Sequence, residues 1–545
     1  MSRLPDPIED GLRRGWQVID AAGVPGARPA PRELDCDVAI VGTGAGGGIS
    51  AEILARAGLK LVLIEEGPLL GSRDFDMREA TAYPALYQES AARKTRDKSI
   101  NILQGRCVGG STTVNWTSCF RTPEATLDFW RDRFGLDTFS AQAMAPWFEQ
   151  CERRLGIVPW TVPPNQNNAL LERGARRLGV EVRTIARNVR GCYNLGYCGT
   201  GCPTNAKQSM LVTTLPAALD RGAVLLVRAR AERLLFEGGA TRAVDVAWLD
   251  ASGLRPSGAR TLVRARHVVV AAGAINSPAL LLRSDAPDPS GLLGRRTFLH
   301  PVLVSAAGFA QRVDGYAGAP QSLYSDHFLG TDPIDGPLGY KLEAPPIHPV
   351  LFATTMSGFG AAHADGMREF THTHALLALI RDGFHQQSQG GSVALRADGT
   401  PELDYPLNAV FFEAARRALL NMAEIQFAAG ARWVQPVHEH AARYRSWAEA
   451  RAAIAALELE PLITRVVSAH VMGGVPMGSD PSRGLVDQQG RYFHVGGLSV
   501  HDGSVFPTSI GANPQLSVYG VAARMASALA ERLTGRLPRA LGDPG

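Results

Sequence analysis

The fold class predicted for this chain is α/β, with a Rossmann-like unit at its head, and three observations predict it. An apolar run, Val38 to Val41, ends in the turn Gly42-Thr43-Gly44-Ala45-Gly46-Gly47; a helix-like segment follows the turn; a second apolar run closes in Glu65. Gly42 permits the tight turn, Gly44 lets backbone approach a pyrophosphate, and Gly47 lets the helix pack close to the strand, so phosphates sit on the helix N-terminus. Glu65 follows the first glycine at roughly the ~20-residue distance of a carboxylate that accepts ribose hydroxyls, and its charge disfavours the 2′-phosphate of NADP. The plain alternative is a tight strand-to-helix turn that binds nothing, and the flanking strands and terminal acid argue against it. Whether the dinucleotide is NAD or FAD stays open on this stretch alone.

The elements follow in order. Residues 1–34 are Pro-rich and polar and read as an arm before the first strand. After Glu65, helix-like pieces lead to a run in which Gly105, Gly109 and Gly110 precede Ser111, Thr112 and Thr113; such a run brings backbone and hydroxyls close to a flat or anionic ligand, or else simply makes a sharp bend. From Thr122 to Gly179 the pattern is helical, with Trp130, Phe134, Trp147 and Phe148 as core candidates. A Cys-rich loop comes next, then the strand-like pieces AVLLVRAR and AVDVAWLD, then a buried strand, Val268 to Ala272, that runs through Gly273 into a helix starting near Ser277-Pro278. Between Leu299 and about Leu459 strand-like runs, LEAPPIHPVLFATTM and ALLALIRDG, mix with the helix AVFFEAARRALLNMAEIQFAAG. A short strand, Leu498 to Val500, precedes His501-Asp502-Gly503, and an amphipathic last helix starts near Pro514.

At 545 residues the chain exceeds what one hydrophobic core supports, so two domains, or one with large insertions, are expected. Hydrophobic residues make up 45% and charged residues 20%, and the net charge is +4 with no basic block, which excludes nucleic acid as a partner class. Arg13-Arg14 has no apolar stretch behind it and no run approaches the ~18 apolar residues of a spanning helix, so a cytoplasmic protein is expected, peripheral contact with the inner membrane staying open. The odd count of seven cysteines argues against a disulfide framework.

Four ordered blocks, GTGAGGG with Glu65, GRCVGGSTTVN, AAGAINSP, and HVMGG paired with VHDGSVFPTSIGANP, resemble the glucose-methanol-choline (GMC) flavoprotein oxidoreductases over nearly the whole chain. The likeness is nearest to the long-chain alcohol oxidases and their bacterial relatives, on GGSTTVNWTSCFRTP and the CxxGCxxxAKQS run. The resemblance implies FAD, bound by a domain assembled from separated segments, 35–298 and 460–545, with helical and Cys-rich insertions near 122–210 and an α+β substrate domain on an antiparallel sheet, 299–459. It extends the cofactor site to Asn115 and Pro514 and places Asp502 near the FAD linker. With no His beside GRCVGGS, FAD is expected to be non-covalent. The loop RSDAPDPSG departs from the family pattern.

Oxidising an alcohol at a flavin needs a base for the hydroxyl proton and a donor for the oxygen as the carbinol hydride leaves for flavin N5. The resemblance implies His470 as the base and Asn513 as the donor. The plain alternatives are a core histidine bonded to backbone and a helix cap before Pro514. His300 precedes Pro301 in a segment like a family loop; the pairs His372/His374 and His438/His440 read as core or solvated residues, and no metal site is expected of them. Cys192, Cys198 and Cys202 have a spacing similar to that of a cluster-bearing loop in FAD-dependent sugar dehydrogenases, which leaves an iron-sulfur cluster against reduced thiols packing the loop. The expected activity is oxidation of a primary, lipophilic alcohol to the aldehyde. Sterol or sugar-alcohol dehydrogenation and non-catalytic flavin binding are the rivals, and the electron acceptor (oxygen, quinone or cytochrome) is not legible.

Overall fold

The computed structural model describes residues 6–21, 29–536 and 541. An eight-stranded sheet forms the nucleotide-binding half. Its order is Gln17–Asp20, Val224–Val227, Leu61–Glu65, Glu33–Val41, Pro256–Val270, Ala240–Leu249, Ala229–Glu237, with Leu498–Val500 also pairing Pro256–Val270. The strands around the glycine turn are parallel: Val38 stands opposite Leu61, Ala39 opposite Val268, and Val268 opposite Leu498. Strands buried on both faces read as continuous apolar runs, and Leu61–Glu65 is buried at every position. The helix Ala45–Arg56 is buried from Gly46 to Ala55, packing against the C-terminal helix Gln515–Thr534. Residues more than 450 apart in sequence thus pack against each other.

A second eight-stranded sheet runs Ile100–Ile102, Val466–Ser468, Val302–Gly308, Thr373–Ile380, Tyr340–Glu343, Leu323–Ser325, Arg183–Thr184, with Trp433–Pro436 also pairing Val302–Gly308. It is antiparallel except where Val466–Ser468 meets Ile100–Ile102. The helix Ala409–Ala428 packs on it through Ala414, Ala415, Ala418, Leu419 and Met422, a helical spacing of small and apolar residues. A four-stranded sheet runs Pro401–Asp404, Gly391–Leu395, Arg295–Leu299, Val471–Gly473, its strands interleaved in sequence with those of the second sheet. Among the described residues no helix is long and apolar enough to cross a membrane.

Three segments differ from expectation. The arm holds a helix, Pro7–Arg14, capped by Asp6, and an edge strand, Gln17–Asp20, that joins the first sheet. LEAPPIHPVLFATTM is strand only up to Glu343; Pro349 then sits at the start of a helix, Pro349–Thr355, because its fixed φ suits the first helical turn and its missing N–H removes it from a ladder. The strand expected at Val268 to Ala272 begins earlier and ends at Val270, where Ala271 N–H donates to Val41 O beside the glycine turn.

Candidate active site

A cavity of about 1420 Å³ lies between the glycine turn and the antiparallel sheet. Gly42, Gly44, Glu65, Gly105, Gly110, Ser111, Asn115, Gly273, Asp502 and Pro514 all line it, as do His470 and Asn513. Gly47 and Gly109 stand behind the lining. A Cβ on Gly47 would lie 2.0 Å from Gly42 O, so this glycine serves helix packing.

The cofactor-side residues form one network. Glu65 Oε2 accepts from Thr43 N–H (3.1 Å) and Thr43 Oγ1 (2.6 Å), and Oε1 accepts from Gly67 N–H at 3.0 Å. Burial raises the Glu65 carboxyl, and those donors oppose the rise. Gly109 N–H donates to Thr43 Oγ1 (3.0 Å), which ties the second glycine loop to the first. Ser111 Oγ accepts from Gly105 N–H at 2.9 Å, and Asn115 Nδ2 donates to Gln515 Oε1 at 2.7 Å. Asp502 accepts from Gly273 N–H (2.8 Å) and the Ser277 hydroxyl through one oxygen, and from Ser504 N–H (2.8 Å) through the other. Its carboxylate therefore fixes the turn after Val270 at the crevice. Thr43 and Arg93 were not singled out from sequence; Arg93, buried, donates to Gln104 and Gln88 in the cavity wall.

The Cys-rich loop does structural work at this site. Lys207 Nζ, buried, donates to Thr113 O (2.8 Å), Asn115 O (2.7 Å) and Cys198 O (2.6 Å), pinning the second glycine loop to the cysteine loop. The thiols have separate partners: Cys192 Sγ accepts from Asn194 N–H, Cys198 Sγ from Arg187, and Cys202 Sγ from Lys207 N–H. Among the described residues no group of three or more His, Cys, Asp or Glu side chains is placed to hold a metal ion, these cysteines included. His374 accepts from Gln426, and His438 contacts Glu458 O and accepts from His440 N–H, so both are held inside the protein.

His470 occupies the two-residue link between Val466–Ser468 of the large antiparallel sheet and Val471–Gly473 of the four-stranded one. Its Nδ1 lies 3.0 Å from His300 Nδ1, the rings edge to face, and Gly511 N–H donates to His300 Nε2 at 3.2 Å. One hydrogen between the two Nδ1 atoms decides which nitrogen of His470 is left free. If it sits on His470, Nε2 can take a proton; the Gly511 N–H favours the opposite choice, because it needs His300 Nε2 as acceptor. His300 thus bears directly on the tautomer of His470. Burial, with the Lys341 charge adding to it, lowers His470 to about 3 and takes His300 well below the usual imidazole range. Both rings are neutral at any working pH.

Asn513 is buried at the head of the last helix. Its Oδ1 accepts from Lys341 Nζ at 2.9 Å, and its Nδ2 donates to Glu343 Oε2 at 3.3 Å. Lys341 and Glu343 pair at 3.0 Å, and Lys341 Nζ stands 3.0 Å from the Phe120 ring centroid. Burial lowers Lys341 to about 8 against the opposing pull of Glu343. Neither residue was singled out from sequence. In the strand YKLE the two charges alternate with apolar neighbours, which reads as a half-exposed edge; only burial reveals them.

The sequence pattern of the GMC oxidoreductase family matches residues 83–302 with its N-terminal part and 387–522 with its C-terminal part. An uncharacterized GMC-type oxidoreductase of Mycobacterium tuberculosis is 31% identical over 509 residues, 93% of this chain and 77% of that one. The long-chain-alcohol oxidase FAO4B of Arabidopsis thaliana is 29% identical over 527 residues, 92% of this chain and 68% of that one. Among solved structures, pyridoxine 4-oxidase from Mesorbium loti superposes with a TM-score of 0.66 at 21% identity, covering 90% of this chain and 98% of that one.

Proposed function

The chain belongs to the GMC oxidoreductases, and from that premise we propose that it is an FAD-dependent enzyme that oxidises a primary, lipophilic alcohol to the aldehyde, with His470 as base and Asn513 as hydrogen-bond donor to the substrate oxygen. The residues present fit FAD. Gly44 caps the helix Ala45–Arg56 with no side chain of its own, and its φ of −69° is ordinary. A Cβ there would meet nothing closer than Gly110 Cα at 3.8 Å, so the protein itself has no need of a glycine at this position, whereas an anion resting on the helix N-terminus does. Gly44, Glu65, Gly110, Ser111, Asn115, Gly273, Asp502 and Pro514 would hold the cofactor. Of the described residues that line the cavity, His470 is the one histidine and none is a cysteine, which supports non-covalent binding. When bound, FAD supplies the hydride acceptor.

The observation that carries the substrate class is the far wall. Val302 and Val304 alternate on one strand, and Ala375, Leu377 and Leu379 on its neighbour; Val302 stands opposite Leu379 and Val304 opposite Leu377. All five line the same cavity as His470, giving an aliphatic face of period two. A sugar would leave its hydroxyls unpaired against such a wall, at a cost of about 1–3 kcal/mol for each buried group. An alkyl chain gains about 0.8 kcal/mol for each methylene it buries there. The likeness to FAO4B over 92% of the chain supports the same class.

The test is an anaerobic absorption spectrum of the purified holoprotein before and after decanol. Bleaching of the flavin bands is expected, with half-saturation falling as the alcohol lengthens from butanol to decanol. Flavin bands that persist with every alcohol overturn the activity; tighter response to a polyol than to decanol overturns the substrate class. The lowered His470 gives a second expectation. Because the base is already unprotonated well below neutrality, the flavin reduction rate should stay flat from pH 7 down to about 5, with no inflection near the usual imidazole value of about 6.5. A tenfold fall across that window would show His470 titrating normally.

A further inference from the structure

Lys341 and Glu343 are 2% and 0% exposed, and neither lines the cavity. A buried ion pair is weak evidence for stability, since apolar residues of the same volume often serve a fold as well or better. Its geometry supplies another reason for it. The pair grips Asn513 from both ends: Lys341 Nζ at Oδ1, Glu343 Oε2 at Nδ2. An ammonium can only donate and a carboxylate can only accept, so the orientation of this amide follows from its neighbours' chemistry, with oxygen toward Lys341 and nitrogen toward Glu343. The grip is itself anchored, because Gln321 Nε2 donates to the same Glu343 oxygen and the Phe120 and Tyr324 rings, 3.0 and 4.5 Å from Nζ, enclose the ammonium.

We infer that Lys341 and Glu343 are positioning residues that lock the Asn513 amide with its oxygen turned away and its second N–H available to an oxygen in the cavity. The inference rests on the functional reading above. A free asparagine presents either end of its amide, and the carbonyl end repels an oxygen that is losing its proton. Held by Lys341, Asn513 is a donor in every turnover, and the positive charge behind its carbonyl polarises the amide and strengthens that donor. Direct recognition of a substrate anion by Lys341 is excluded by its position behind Asn513.

The experiment compares wild type with the double variant Lys341→Met/Glu343→Gln, which keeps side-chain size and net charge while removing the obligate donor. Anaerobic flavin reduction by decanol is expected to slow by about 10-fold to 10²-fold, part of the ~10²–10³-fold that loss of such a donor costs, with half-saturation changed less than threefold. Adding Asn513→Ala to the double variant should slow it no further than Asn513→Ala alone does. Multiplying effects would show a general structural role and overturn the inference, as would a double variant as fast as wild type. Lys341→Gln/Glu343→Gln restores a donor at position 341 and should recover most of the rate, whereas Lys341→Leu/Glu343→Gln, which also lacks the donor, serves in place of the first variant if that one does not fold. A readout free of turnover is the dissociation constant of decanoate, followed by perturbation of the flavin spectrum. It should weaken about tenfold in the Met/Gln variant, and an unchanged value overturns the lock. Wild type that binds decanoate but is reduced by no alcohol would sink the functional reading and leave this inference to the binding arm.

Discussion

His470→Ala is expected to retain flavin at the wild-type ratio and to slow flavin reduction by alcohol at least ~10²-fold, the low end for loss of a general base. His470 Nε2 accepts the hydroxyl proton in the tautomer whose hydrogen sits on its own Nδ1 and is donated to His300 Nδ1, an arrangement that forfeits the hydrogen bond from Gly511 N–H to His300 Nε2. His470 is neutral, lines the cavity, and sits where strands of two sheets meet, so its backbone is fixed by both. None of the groups described around the cavity's inner end can take its place. Asn513 has its oxygen engaged by Lys341, and Lys341 is paired with Glu343 behind it. His300 has Nδ1 engaged by His470 and Nε2 against the Gly511 backbone. Stopped-flow spectroscopy at 450 nm measures the effect, with the flavin-to-protein ratio confirming that the cofactor site is intact. Reduction within threefold of wild type would remove His470 from the chemistry.

The parts of this protein that were legible in the sequence are those in which one local pattern has one structural meaning. Val38–Val41 and Leu61–Ile64 are short continuous apolar runs beside turn residues, Leu498–Val500 is a shorter one interrupted by Ser499, and all lie in buried parallel strands. The C-terminal helix followed from Pro514 and an apolar stripe. His470 and Asn513 stood out because motifs carried them, and the structure brings both to one cavity although 43 positions separate them. Where local pattern and tertiary context disagree, the sequence misleads. Pro345, Pro346 and Pro349 interrupt an apolar stretch that otherwise looks like a strand, and the chain turns it into a loop and a helix. Lys341 and Glu343 look solvated because charge in a short strand ordinarily is; Asn513 on the one side and two aromatic rings on the other change that, and neither is visible within ten residues. The pairing of His300 with His470 spans 170 positions and depends on strand order alone.

Gly44→Val is expected to yield a folded protein with less than about one tenth of the wild-type flavin content, and the contrast with Gly46→Val gives this its force. At Gly44 the backbone is extended and a Cβ would face open cavity, its nearest neighbour 3.8 Å away, so overpacking of the protein against itself is absent. The added methyls fill the space over the uncapped start of the helix Ala45–Arg56, where a pyrophosphate gains backbone N–H groups and the helix dipole. A tenfold to hundredfold weakening, about 1.4–2.7 kcal/mol, follows from steric exclusion alone. At Gly46, two residues on, a Cβ would lie 1.6 Å from His501 O, which is backbone, so Gly46→Val must displace the strand end that carries Asp502. That variant should lower the melting temperature of the apoprotein or fail to fold, whereas Gly44→Val should melt within about 2 °C of wild-type apoprotein, surface-like in its effect on stability. Flavin content by absorbance and melting by circular dichroism separate the two. Gly44→Val retaining full flavin would mean that the glycine turn does not hold the phosphates, and the cofactor assignment would have to move elsewhere along the cavity.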